Sequence, residues 1–342
     1  MANRVYCTYF DHNYLSRGLA LYRSLQRHAA GSRLWVLCLS EACHRTLIAL
    51  DLPDLVPVRL ADFEAADPEV AATRALRSTV EYYFTCTPAW TLFVMAREAD
   101  ADWVTYLDGD LFFFASPEII YRELADGAAA IIPHRYPARL ARLRKFGTYN
   151  VGWVGARNAP DGIAIMQWWR AKCIEWCHDY VDGNRFADQG YLDWFPQLST
   201  RVIVIDNPGA NLAPWNIGNY RIDVRDHRVL IDKVHPLLFF HFQGLRKGMR
   251  WFVFNSHRSY GAPFSSEVRD HIYKPYVDEL LAIEKSIDPA LQLPETRPHV
   301  RSSVADVGQY LKSKARNAKV CMFQLLDIVT RRAFLVFRGT AY

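Results

Sequence analysis

Short apolar, β-branched runs alternate along this chain with stretches whose apolar residues return every three or four positions. Residues 5–9 and 34–39 read as buried strands. Between them Leu15, Leu19, Tyr22 and Leu25 mark one face of a helix that reaches Arg27, and residues 41–50 form a second helix. Strand–helix–strand alternation from the outset predicts an α/β fold with a mixed, mostly parallel sheet flanked by helices. Residues 68–100 read as mostly helical, with Pro88 breaking the run or opening a second helix. A helix follows Pro117, and strands are expected at 128–132, 150–154 and 237–242. A helix over 162–180 buries Met166, Trp169, Cys173 and Trp176.

The central stretch is residues 103–114, Trp-Val-Thr-Tyr-Leu-Asp-Gly-Asp-Leu-Phe-Phe-Phe. Its strand pattern stops at two carboxylates, Asp108 and Asp110, which places charge at the rim of a sheet, where α/β proteins bind ligands. Gly109 is expected to let the backbone turn sharply enough for both to face one point. Carboxylates so close repel unless a divalent cation or a shared proton lies between them. The competing reading is a solvated Asp-Gly turn between strands.

Composition narrows the classes. Aromatic residues make up 14% of the 342, with ten Trp and eighteen Tyr, while a net charge of +5 is too mild to argue for nucleic acid. The sequence shows no N-terminal signal pattern and no apolar run of membrane-spanning length. Seven scattered cysteines suit reduced thiols in a cytoplasmic protein. Cys173, Cys177 and His178 have half of a zinc spacing but lack a matching second pair, so buried thiols are expected. The loop after the first strand carries Asp11 and Asn13, able to hydrogen-bond a base or ribose or to cap the following helix. It lacks both the Gly-x-Gly-x-x-Gly and the Walker fingerprints. Trp215 and Asn216, in a loop with Pro214, combine an indole with amides as sugar sites do, although a structural Trp fits equally well.

Beyond Gly261 the composition shifts. The chain divides into a catalytic unit at 1–262, a helix and Pro/Glu/Arg-rich linker at 263–300, and a basic amphipathic tail helix at 301–342. Between 312 and 338 Asp327 is the lone acid, while Phe323, Leu326, Ala333, Phe334 and Phe337 approximate one helical face. That face is expected to rest on an anionic membrane surface, at the inner side of the membrane. Docking on the catalytic unit or on a second copy is the competing expectation.

Taken together, four stretches resemble the glycogenin-like and lipopolysaccharide-galactosyltransferase group of retaining, metal-dependent glycosyltransferases with the GT-A fold. They are Asp11-His12-Asn13-Tyr14, Asp108-Gly109-Asp110, Asn150-Val151-Gly152 with Asp188-Gln189, and His241-Phe242-x-Gly244-x-x-Lys247, in that order over roughly residues 3–255. The resemblance implies that Tyr9, Asp11 and Asn13 meet the nucleotide. It implies that Asp108, Asp110 and His241 hold a metal, and that Gly244 and Lys247 meet the diphosphate. Asn150, Val151 and Gly152 would hold the donor sugar, and Asp188 and Gln189 would lie beside the reacting carbon. Arg77, with Arg74 in competition, is a further candidate for the diphosphate or donor sugar, and Trp215 and Asn216 for the acceptor. Two oxygen ligands and an imidazole suit Mn²⁺, with Mg²⁺ as the alternative.

The implied activity is hexosyl transfer from a nucleotide-diphosphate sugar, in particular a uridine diphosphate sugar, to a glycan or lipid-linked acceptor. Residues 74–87 depart from glycogenin itself, which points to bacterial surface polysaccharide synthesis. Gly248-Met249 stands where Pro-Trp often follows the lysine. Two rivals remain: an aspartate-nucleophile phosphatase, which also places Asp-x-Asp after an apolar strand, and an inactive glycan-binding protein of the same fold.

Overall fold

In the computed structural model, which describes residues 3–247, 251–253, 255–287, 326–337 and 340–342, a seven-stranded sheet forms the centre. The first half alternates as β1 (Arg4–Phe10), α1 (Leu15–His28), β2 (Arg33–Cys38), α2 (Glu41–Leu50) and β3 (Leu55–Arg59). Helices α3 (Leu60–Ala66), α4 (Pro68–Thr73) and α5 (Thr79–Arg97) then lead to β4 (Trp103–Leu107), β5 (Leu111–Phe113) and α6 (Glu118–Glu123). The second half adds β6 (Ala129–Pro133), β7 (Tyr149–Arg157), α7 (Pro160–Glu175) and β8 (Val202–Val204). The strand order is β3-β2-β1-β4-β7-β6-β8. Strand β7 is antiparallel to both its neighbours while the other pairings are parallel, so the sheet is mixed and mostly parallel, as expected.

Strand β4 is buried along its whole length, which explains its unbroken apolar reading. Because β7 runs against β4, the start of β7 and the ends of β1 and β4 meet at one edge of the sheet. Ligands gather at such an edge.

Several local expectations are corrected. Helix α5 runs straight through Pro88, held at its start by a capping box between Ser78 and Glu81. Helix α7 stops at Glu175 instead of reaching Tyr180. Trp176 is extended, its carbonyl accepts the Tyr191 hydroxyl at 2.7 Å, and Arg77 takes the carbonyls of Ile174 and Cys177. Those bonds end the helix and leave Arg77 in a structural role. Residues 266–286 are helical as expected, with a π-helical turn at Arg269–Tyr273. Cys173 and Cys177 are buried and His178 turns to Glu81 at 3.1 Å, so the half zinc spacing assembles nothing.

The tail is the largest correction. Phe323 lies outside the described residues, but Ala333–Phe337 is a strand, not part of a helix, and pairs antiparallel with Trp251–Val253. Ala333 and Phe334 are buried in the domain and therefore do not face a membrane, whereas Leu326 is exposed. No described helix is long and apolar enough to cross a membrane. Phe334→Ala is expected to lower stability by about 3 kcal/mol, as for other buried phenylalanines. Chemical denaturation checks this, and an unchanged midpoint would contradict the docked tail.

Candidate active site

The strand ends converge on a cavity of about 670 Å³, within the usual range for small-ligand sites. Asp108 follows β4, and Asp110 precedes β5. The β5 strand pairs antiparallel with β9 (Phe239–His241), setting His241 opposite Leu111, one residue beyond Asp110. His241 Nε2 then lies 3.1 Å from Asp110 Oδ1 and 3.7 Å from Asp108 Oδ2. One ligand atom from each of the three lies within 4.8 Å of the others, a group suited to one divalent cation. Gly109 does not adopt the left-handed region, and a Cβ there would make only ordinary contact with Phe10. The turn therefore does not require glycine, contrary to expectation. Gly152 does answer a close approach, because a Cβ there would sit 2.6 Å from Asn150 Oδ1 and 2.9 Å from the His241 ring.

The two carboxyls are not equivalent. Burial and the charge of Asp110 hold Asp108 above its ordinary value, despite His241 and the Tyr106 hydroxyl that donates at 3.0 Å. Burial would also raise Asp110, but the charge and hydrogen bond of His241, helped by Arg17, bring it below. Burial would lower His241, yet the two carboxylates raise it. That charge distribution is what a bound cation would replace.

Behind the triad the hydrogen bonds have a fixed direction. The Thr148 carbonyl can only accept, so His134 donates through Nδ1 (3.2 Å), and its Nε2 accepts from Asn150 Nδ2 at 3.3 Å. Burial and the nearby His241 lower the pKa of His134 to about 3, which keeps it neutral. Asn150 Oδ1 thus faces His241 Nδ1 at 3.2 Å, which must carry its proton there and leave Nε2 for the metal position. His134→Ala should release the Asn150 amide and weaken Mn²⁺ binding by about tenfold, with His134→Gln restoring part of it. Calorimetric titration with Mn²⁺ checks this, and equal affinities would show that the histidine only fills space.

The cavity brings together Tyr9, Asp11, Asp108, Gly109, Asp110, Asn150 and Val151 with Asp188, Gln189, Trp215 and His241. Asp188 is buried with one carboxylate oxygen unpartnered, and burial, with Asp108 nearby, pushes its pKa up to about 7 although the Thr87 hydroxyl opposes this. Gln189 accepts from Asn150 Nδ2 and the Val151 N–H at 3.3 and 3.4 Å, and donates to the Phe146 carbonyl at 2.7 Å. Trp215 reaches the cavity while donating to the His134 carbonyl at 2.9 Å.

Other expected residues are engaged by partners within the fold. Asp11 accepts from the N–H groups of Asn13 and Tyr14 and from the Asn13 amide, so these two residues shape the turn into α1, although Asp11 also lines the cavity. Asn216 is buried and bonded to Ala213, His134 and Asn211, a structural role. Lys247 pairs with Glu284 at 2.6 Å, and Arg74 with Glu64 at 2.9 Å. Gly244 takes a left-handed φ of +75° where a Cβ would strike the Ser256 hydroxyl.

Sequence reasoning missed Tyr83, Tyr106, His134 and Tyr260 on the cavity wall. Tyr106 carried a usable signal: it lies two positions before Asp108, near the end of β4, where alternation turns both toward one face. Tyr9 packs against Tyr106 and Tyr83 at ring separations of 5.4 and 6.4 Å.

No family model matches the chain. Two proteins of Bacillus subtilis (strain 168) are similar over most of their length. The uncharacterized protein YfnF is 31% identical over 250 residues, 70% of this chain and 81% of its own. The uncharacterized protein YfnD is 30% identical over 280 residues, 80% and 87% respectively. Among solved structures, the galactosyltransferase LgtC in complex with donor and acceptor sugar analogs aligns at 17% identity, covering 78% of this chain and 100% of that one, with a TM-score of 0.49. Mouse xyloside xylosyltransferase 1 aligns at 13% identity, covering 71% and 98%, with a TM-score of 0.45.

Proposed function

This chain belongs to the family of the Bacillus subtilis proteins YfnF and YfnD, and we propose that it is a metal-dependent retaining glycosyltransferase. It moves a hexose from a nucleotide-diphosphate sugar, in our reading a uridine diphosphate sugar, to a glycan or lipid-linked acceptor in bacterial surface polysaccharide synthesis. The observation that carries this reading is the Asp108, Asp110 and His241 triad opening on the same cavity as the unpartnered Asp188 carboxylate and Gln189. The six described cysteines are buried and free of disulfides, which supports a reducing, cytoplasmic location.

A divalent cation, Mn²⁺ or Mg²⁺, held by Asp108, Asp110 and His241 would supply charge neutralisation for the departing diphosphate. Tyr9 and Tyr83 offer an aromatic wall for the nucleoside beside Asp11. Asn150 orients His241 and, together with the Val151 N–H, holds the Gln189 carbonyl in place at the cavity. Asp188 takes hydroxyls of the donor sugar on its unpartnered oxygen. The Gln189 carbonyl stabilises positive charge at the anomeric carbon, and an amide is too poor a nucleophile to favour a covalent intermediate. The acceptor hydroxyl therefore attacks from the face that the leaving group vacates, giving its proton to the departing phosphate oxygen.

Proton NMR of the product from an α-linked donor tests this. An α-linked product is expected. A β-linked product would overturn the mechanism.

A further inference from the structure

No Asp or Glu occurs between residues 127 and 160, although Arg135, Arg139, Arg142, Arg144, Lys145 and Arg157 all fall there. Such a one-signed block usually lies on a solvated face or meets an anionic partner. Two of the six are already spent inside the domain. Arg135 holds the carbonyls of Ala210, Ile205 and Asn207, and Arg157 those of Gly127 and Ala125. The other four lie on the 3-10 segment Ala138–Phe146, are exposed, and have no carboxylate within ion-pair distance among the described residues.

That segment is part of the cavity wall. Leu143 and Phe146 line the cavity while Leu140 anchors the segment against Trp215. The Phe146 carbonyl holds the Gln189 amide at 2.7 Å, and Lys145 lies over the Phe146 ring at 5.0 Å. Arg139 crosses above Gly218, where a Cβ would come within 3.1 Å of its guanidinium, and donates to the Tyr260 carbonyl at 3.4 Å. The cavity lining therefore combines the carboxyls of Asp11, Asp108, Asp110 and Asp188 with Tyr136, Leu143 and Phe146, which belong to or adjoin the cationic segment. Guanidinium groups bind phosphate and carboxylate through paired, charge-assisted hydrogen bonds.

We propose that the acceptor is anionic, and that Arg142, Arg144 and Lys145 bind a phosphate or carboxylate it carries next to the sugar hydroxyl that is glycosylated. This rests on the transferase reading. It narrows the acceptor to one that an earlier phosphorylation, phosphoryl-linkage or sugar-oxidation step has already charged.

The test compares three soluble acceptors of one sugar: a neutral alkyl glycoside, the same glycoside bearing a phosphate on its aglycone, and the corresponding uronic acid. Metal-dependent hydrolysis of the nucleotide sugar without acceptor is measured alongside. A charged acceptor should be preferred by about tenfold or more in kcat/KM, with KM rising steeply with salt. Preference for the phosphate or for the uronic acid identifies the source of the charge. The triple variant Arg142→Ala, Arg144→Ala, Lys145→Ala should raise KM for the charged acceptor about tenfold and remove the preference. Arg225→Ala with Arg228→Ala, which removes exposed charge from the antiparallel pair Ile222–Arg225 and Arg228–Ile231, outside the cavity lining, should not. A neutral acceptor used equally well, or a preference that survives the triple variant, overturns the inference while donor hydrolysis persists. Absence of any metal-dependent donor hydrolysis overturns the transferase reading together with it.

Discussion

Asp110→Asn is expected to reduce turnover by about a thousandfold or more, the scale of losing a principal electrostatic group at a site of developing charge. Asp110 is the better suited of the two carboxylates to hold a cation. It is buried, held below its ordinary pKa, and lies 3.1 Å from His241 Nε2. Asp108 is more exposed and is held above its ordinary value. Removing the Asp110 charge leaves one carboxylate to offset a divalent cation in a largely buried site, so metal affinity falls together with turnover. The fold should persist, because an amide oxygen can still accept from His241 and the Asp110 carbonyl keeps its 3.0 Å bond from the Phe242 N–H. Turnover and Mn²⁺ titrations on the folded variant check this. Activity within tenfold of wild type at saturating Mn²⁺ would remove Asp110 from the site.

Asp188→Asn should divide activity from stability. A carboxyl whose folded pKa is raised binds its proton more tightly in the native than in the unfolded chain. Between the unfolded value near 4 and the folded value of about 7, stability therefore falls as pH rises, and the loss is complete above that window. At pH 8 the native protein carries a buried carboxylate whose second oxygen has no partner. The neutral isostere should relieve about 4 kcal/mol of that cost at pH 8, and little of it at pH 4. The same substitution should cut kcat far more than it weakens nucleotide binding, since the charge acts on the donor sugar. Denaturant titrations at both pH values, beside kcat and nucleotide affinity, decide the matter. A variant that is less stable at pH 8, or as active as wild type, would assign Asp188 to the scaffold.

The rim of the sheet was legible in the sequence wherever local pattern and chemistry coincided. Strand β4 is apolar because it is buried along its length, and the acids at its end stand out for that reason. The pairing of Asp110 with His241 was not legible from periodicity, because a short antiparallel ladder closes it across a long stretch of chain. Only the resemblance joined them. The resemblance implies Lys247 for the diphosphate, and Arg77 is a candidate for the diphosphate or donor sugar, yet one pairs with Glu284 and the other ends α7. A lone cation in sequence carries no record of the carbonyl or carboxylate it meets. The tail misled for a related reason. Ala333, Phe334 and Phe337 fit a helical face, but the available edge of Trp251–Val253 pairs the segment as a strand. Tertiary pairing overrode local periodicity there.

The central claim is metal-dependent breakage of a nucleotide sugar at this triad. Its most direct test incubates the chelator-treated protein with a panel of nucleoside-diphosphate sugars, with and without Mn²⁺, and measures released nucleoside diphosphate. Release with Mn²⁺ from one donor, absent without metal, is the expected result. Release that ignores the metal, or phosphate freed from simple phosphomonoesters with every nucleotide sugar intact, would contradict it.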